Sequence, residues 1–320
     1  MALAWLAMAV LLQSAGPALA QWQPQKPITI IVMAGKGGGA DQAARYLAEL
    51  IAKEKLAPVP FEIVNMPGNS GGDALAELQK RAGDDHVLLF TLNSFYTTPL
   101  DKPDLKIDIG AMSPIARLGE DVFLLWVHTD RTDINTVEDF VRAAKAKGKD
   151  WIMAGTGTGA EDHLLTRFFN ASYGLDMTYK PFGGGGEVAR ELAEKRADST
   201  VNNPSETTAL LAAGKVKPIV AITPARLGQF LPVPTLRETG MDFQYAMQRS
   251  VVGPPAMSAP ALAFYKALFE ALFARAEWQA YRTKVSLSGP LLTGDGLRAY
   301  WLAEREKHMR WKMALEVLAR

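Results

Sequence analysis

The 320-residue sequence contains no cysteine, which excludes disulfides, thiolate nucleophiles, iron–sulfur ligation and cysteine-based zinc sites together. Histidine is scarce as well: the sequence has only His86, His128, His163 and His308, with no pair at a helical metal-ligand spacing and no His-Glu-x-x-His pattern. A transition-metal enzyme is therefore disfavoured, a hard cation held by carboxylates stays open, and no cofactor is expected. Charge of one sign is lacking too. The 35 Lys+Arg against 34 Asp+Glu leave a formal net charge of +1, which supplies no long-range field to attract nucleic acid or an anionic membrane surface. What remains is an ordinary globular composition, 48% hydrophobic and 22% charged, in a chain long enough for about two domains.

The N-terminal stretch lacks charged side chains entirely until Lys26. An apolar run from Ala2 to Leu12 leads through Gly16-Pro17 to Ala18-Leu19-Ala20 and then Gln21. This pattern predicts a secretory signal peptide over residues 1–20, cut after Ala20. The run is shorter than the ~20 apolar residues a spanning helix needs. A buried N-terminal helix is the alternative, and Gly16-Pro17 would end it. Gln21 rather than cysteine at the cleavage point predicts a free, soluble product with no lipid anchor, which suits a periplasm.

After the leader, the pattern alternates. Ile28-Thr29-Ile30-Ile31-Val32 is a β-branched run followed by glycines from Gly35 to Gly39, and then Ala44, Leu47, Leu50 and Ile51 recur at helical spacing. Phe61 to Val64 and Val87 to Phe90 read as the next strands. The unit restarts downstream: Trp151 to Ala154 leads into Gly155-Thr156-Gly157-Thr158-Gly159, and Thr178 to Pro181 leads into Gly183 to Gly186, each before a helical stripe. Ile219 to Ile222 is a further strand, Ser258 and Pro260 open an amphipathic helix, and a last helix starts near Leu297. The expectation is an α/β fold of two units, with parallel sheets, right-handed crossovers and glycine turns at the strand ends that face one cleft.

Such turns bind anions. Glycine admits close backbone approach, and a helix that starts just afterwards points unpaired N–H groups and its positive dipole end into the gap. Several seats around one cleft would suit a ligand with two or more carboxylates. An enzyme reading stands beside this one. Gly35-Lys36-Gly37-Gly38-Gly39-Ala40 formally matches a dinucleotide fingerprint, yet Asn65 stands where the acidic residue is expected. No serine occupies a nucleophile elbow, and His163 is the single histidine near a predicted turn. A hydrolase or transferase acting on a small carboxylate in the same cleft is the alternative function, and it needs a nucleophile–base pair that the sequence does not display.

Lys26-Pro27-Ile28-Thr29-Ile30-Ile31-Val32, with Gly37-Gly38-Gly39-Ala40-Asp41-Gln42-Ala43-Ala44-Arg45, resembles the opening of the Bug proteins, the periplasmic solute receptors of tripartite tricarboxylate transporters. Asn65-Met66-Pro67-Gly68, the Gly155–Gly159 turn with His163-Leu164, and Val233 to Gly240 resemble further blocks of that family in the same order. The resemblance implies a two-lobed periplasmic-binding-protein fold that closes on a small organic carboxylate held by backbone amides, small hydroxyls and water. It implies delivery to the membrane subunits of such a transporter, or signalling through a sensor kinase. Lobe one would comprise residues 21–120 and 247–320, and lobe two residues 121–246. The first-lobe turn matches Ala34 to Asp41, with Ala34, Gly37, Gly38 and Gly39 near the ligand and Asp41 serving the turn, since a bare carboxylate would repel a bound one. The second-lobe turn matches Thr156, Gly157 and Thr158. Asn65, Ser94, His163 and Asn203 complete the candidate set, and no residue is given a catalytic role. Where many members carry a tryptophan, this chain has Gln248-Arg249-Ser250, and Arg249 is expected to reach the cleft and pair with a distal carboxylate. Phe95, Tyr96 and Phe182 are candidate lining aromatics.

Overall fold

A computed structural model describes residues 22–318. The predicted signal peptide lies outside the described residues. In chain order the elements are β1 (Ile28–Val32), α1 (Gly39–Lys53), β2 (Phe61–Asn65), α2 (Gly72–Lys80), β3 (Val87–Thr91), α3 (Ser94–Asp101), β4 (Ser113–Val122), β5 (Leu124–His128), α4 (Val137–Lys147), β6 (Ile152–Thr156), α5 (Glu161–Tyr173), β7 (Thr178–Phe182), α6 (Gly185–Ala193), β8 (Ser199–Thr200), α7 (Pro204–Ala212), β9 (Val216–Ala221), β10 (Ala246–Gly253), α8 (Ala259–Phe273), α9 (Ala276–Lys284), β11 (Leu292–Thr293) and α10 (Gly294–Leu318).

The strands form two sheets, one ordered β11-β4-β10-β3-β1-β2 and the other β7-β6-β8-β5-β9. Both are mixed, which corrects the expectation of parallel sheets. β1 is parallel to β2 and β3, and β6 is parallel to β7 and β8. However, β10 is antiparallel to β3 and β4, and β5 is antiparallel to β8 and β9. β10 and β5 are the strands by which the chain enters each sheet from the other, and the short β11 is antiparallel to β4 as well. The chain passes from β4 to β5 through Phe123 alone and returns from β9 to β10 through residues 222–245, and these two crossings set strand direction independently of the local strand–helix pattern. The central strands β3 and β5 are buried along their whole length, as strands covered on both faces must be.

Register positions the turns. Val32 lies opposite both Asn65 and Phe90, so the segments after β1, β2 and β3 leave the first sheet side by side. Thr156 lies opposite Phe182, and Ala154 opposite Thr200, so those after β6, β7 and β8 do the same in the second sheet. The last helix starts at Gly294, three residues before Leu297, and packs against β4, α3 and α5. Trp301 and His308 of that helix are buried, and they receive the rings of Phe95 and Tyr96, which are fully buried. Those two aromatics belong to the core rather than to the cleft. Among the described residues no helix is long and apolar enough to cross a membrane.

Candidate functional site

The turns of the two sheets meet. The Gly35 N–H donates to the Gly183 carbonyl at 3.0 Å, and the Ser70 hydroxyl donates to the Thr158 carbonyl at 2.8 Å. A Cβ on Gly35 would stand 2.6 Å from the Gly183 oxygen, and one on Gly186 2.6 Å from the Gly37 oxygen. Backbone rests on backbone there, so a side chain at either position would force the two turns apart. Between them lie two adjoining cavities of about 20 and 30 Å³, each with room for one or two waters. Ala34, Leu92, Thr156 and Glu161 line both. Gly38, Gly39, Asn203 and Arg249 line the first, and Ser94, Gly157 and Phe182 the second.

Eight of the predicted residues are therefore brought together by folding: Ala34, Gly38, Gly39, Ser94, Thr156, Gly157, Asn203 and Arg249. The other five are not among the lining residues. Gly37, at φ +78°, donates its N–H to Asp41 at 2.9 Å. Asp41 also accepts from Arg45 and from Asn65, whose amide in turn bonds the Ala34 carbonyl at 2.9 Å. Burial works to raise the Asp41 carboxyl, but these donors outweigh it and hold it below the usual range. Asp41 and Asn65 thus brace the first turn. Thr158 is exposed. His163 faces a different cavity, on the far side of Glu161.

Four helices begin at this cleft without a side-chain cap: α1 after Gly38, α3 after Asn93, α5 after Ala160 and α6 after Gly184. By contrast, α4 and α8 begin elsewhere and carry Thr136 and Ser258 as caps. The free N–H groups at the cleft are met by carboxylates from the other half of the molecule. Glu206 Oε1 accepts from the Gly39 N–H at 2.9 Å, and Glu161 Oε1 from the Ser94 N–H at 2.8 Å. Glu206 is itself fixed, because its second oxygen accepts from Asn202 Nδ2 at 2.9 Å and the Asn203 N–H at 3.1 Å. Asp162 accepts from the Thr156 N–H at 2.7 Å. Burial raises the Glu161 and Asp162 carboxyls above their ordinary range.

Arg249 is 1% exposed. Its Nε and Nη2 donate to Asp121, and Nη2 also reaches Asn203 Oδ1 at 3.2 Å. Burial pushes the Asp121 carboxyl up to about 6 against the opposing pull of the guanidinium. Among the described residues, Nη1 has only the Met247 thioether, at 3.9 Å. Sequence reasoning missed Asp121, Glu161, Asp162 and Glu206. One local signal pointed to Glu206: Asn203-Pro204-Ser205-Glu206 has the spacing at which a third-position glutamate reaches back to the helix start. The polar side chains that converge on the cleft are carboxylates, small hydroxyls, an amide and one guanidinium. Among the described residues no group of three or more His, Asp or Glu could hold a metal ion.

Residues 43–275 match the family described as the tripartite tricarboxylate transporter family receptor. The chain belongs to that receptor family. It is 25% identical over 232 residues to "Protein BugT" of Bordetella pertussis, covering 71% of this chain and 69% of that one. Its fold matches R. palustris Rpa4515 with adipate at a TM-score of 0.85, with 20% identity and coverage of 92% and 98% of the two chains. It also matches MatC from Rhodopseudomonas palustris with bound malate at 0.80, with 22% identity and coverage of 91% and 99%. The receptor has the two-lobed fold of periplasmic binding proteins, with the cleft described above between its two sheets.

Proposed function

We propose that this receptor binds a small organic carboxylate in the cleft between its glycine turns, closes on it, and presents the closed form to the membrane subunits of a tripartite tricarboxylate transporter from the periplasm. One observation carries the reading: uncapped helix starts converge on the cleft, and two of their N–H groups already hold carboxylate oxygens, those of Glu206 and Glu161. A seat that accepts a glutamate carboxylate from across the cleft accepts the same group on a ligand. In this reading the halves built on the two sheets are lobes, with residues 21–120 and 247–320 in one and 121–246 in the other. They open about Phe123 and the 222–245 connection, and a ligand carboxylate replaces Glu206 or Glu161 when they close again. Arg249 Nη1 takes a distal carboxylate. The adipate and malate named with two proteins of the same fold support a dicarboxylate of four to six carbons as the first to try.

Calorimetric titration of the chain from Gln21 with mono-, di- and tricarboxylates tests the proposal. Micromolar or tighter binding of one acid, recovered unchanged, is the expected outcome. Silence across the panel, or consumption of the acid, would overturn it. Arg249→Ala with unchanged affinity would remove Arg249 from the binding set.

A further inference from the structure

On the far side of Glu161 a third cavity, of about 40 Å³, is enclosed by α3, α5 and α10. Helix α10 packs on β4 of the first sheet and on α3, and α5 packs on β6 and β7 of the second, so this cavity also lies between the halves. Its lining differs in kind from that of the central cleft, because its donors are side chains. Arg167 is half-buried and has no hydrogen-bond or ion-pair partner among the described residues. His163 stacks on Tyr179 with ring centroids 4.5 Å apart, and its Nδ1 accepts the Gly159 N–H at 3.0 Å. Burial, then the Arg167 charge, lowers its pKa. The neutral ring therefore carries its proton on Nε2, a donor that is without a partner among the described residues.

Thr97 supplies an independent sign of a missing ligand. It lines the cavity, is 8% exposed, and its buried hydroxyl has no hydrogen-bond partner among the described residues. Buried polar groups in native proteins are nearly always paired. Lys312 adds a second permanent cation, paired with Asp101. The other acid at the wall, Glu161, is turned to the Ser94 N–H.

We propose that this cavity is a second ligand site, taking a planar oxyanion of about three or four heavy atoms. In this closed arrangement the space corresponds to roughly three water-sized spheres, and its donors are side chains that suit one small planar group. The planar guanidinium of Arg167 matches a carboxylate or carbonate edge with two parallel donors. The His163 Nε2–H and the Thr97 hydroxyl supply the remaining contacts. Because its walls come from both halves, an anion here favours the closed arrangement and strengthens binding in the central cleft by linkage.

The test is calorimetric titration of the full chain with acetate and, separately, hydrogencarbonate at fixed ionic strength, with phosphate as the larger anion. One saturable site in the millimolar range or tighter is expected for acetate or hydrogencarbonate, and whichever binds identifies an organic or an inorganic source. Arg167→Gln and Thr97→Val should each weaken it about tenfold, the scale of one charge-assisted contact, while Arg142→Gln, on the exposed face of α4, leaves it unchanged. Thr97→Val should also leave the free protein as stable as before or more so, since it removes an unpaired buried hydroxyl. Absence of saturable binding, phosphate binding as tightly as acetate, indifference to Arg167→Gln, or equal loss with Arg142→Gln would each overturn the proposal.

Discussion

The cavities on the two sides of Glu161 are a few residues apart on α5, yet they obtain their hydrogen-bond donors differently. In the central cleft the donors are backbone N–H groups at helix starts, and the side chains are mostly acids that already occupy them. In the cavity between α3, α5 and α10 the donors are Arg167, His163 and Thr97, and their capacity is unused. A backbone seat reads charge and geometry but little of a ligand's identity, and it can be closed by any carboxylate the protein places there. A side-chain seat can be removed one residue at a time. The comparison therefore predicts that substitutions of the acids in the central cleft disturb stability as well as recognition, whereas those of Arg167 and Thr97 disturb recognition alone.

The largest expected effect is at Asp121. Asp121→Ala leaves the Arg249 guanidinium buried without its partner, which should cost about 3–5 kcal/mol in urea unfolding, the usual loss on breaking a buried ion pair. A loss under about 1 kcal/mol would mean that Arg249 finds another anion or reaches solvent.

Next comes His308, on the helix that walls the second cavity. Its Nδ1–H donates to the Glu304 carbonyl at 2.7 Å, and in the neutral ring its Nε2, 3.0 Å from the Tyr245 hydroxyl, accepts from it. Burial lowers its pKa from the ordinary 6.5 to about 4. A depressed folded-state value means that this group's stabilisation is complete above pH 6.5 and is lost as pH falls through 4. Measured as the difference between wild type and His308→Gln, the loss should reach about 3 kcal/mol. The raised carboxyls Asp121, Glu161 and Asp162 act in the opposite sense, which is why the difference and not the wild-type curve alone is the measurement.

Glu206→Ala should separate the two effects within the central cleft. It leaves the Gly39 and Asn203 N–H groups unpaired in the empty protein and should cost about 1–3 kcal/mol, while ligand affinity rises because an internal competitor is gone. Affinity that falls together with stability would show Glu206 to be a ligand contact instead. The smallest effect is expected at Gly186→Ala, whose Cβ meets the Gly37 carbonyl. It should leave unfolding within about 1 kcal/mol of wild type yet weaken ligand binding, because only the approach of the two turns is impaired.

The glycine turns, the helices after them and the cleft they face were legible because each is a local pattern: apolar run, glycines, helical stripe. Five of the eight converging candidates, Ala34, Gly38, Gly39, Thr156 and Gly157, belong to those turns. Strand direction was not legible, since it follows from two crossings between sheets that no window of sequence spans. The acids were hidden for a related reason: Glu206 meets Gly39 across 167 positions and Glu161 meets Ser94 across 67. His163 is instructive in a different way. Placed near the ligand from its position after a glycine turn, it stands two residues beyond Glu161, and at about 100° per residue on a helix that is more than half a turn away. The same helix start thus serves both cavities, with Glu161 toward one and His163 toward the other.

The bonds from Glu206 and Glu161 have a kinetic meaning as well. An empty receptor held shut by its own carboxylates offers ligand no entrance until it opens, so the observed association rate should level off at high ligand concentration, at the opening rate. The apparent dissociation constant would exceed the intrinsic one by the reciprocal of the open fraction. A transporter that recognised closure alone would also take up empty receptor, so the fraction that rests open sets how much of the closed population carries cargo.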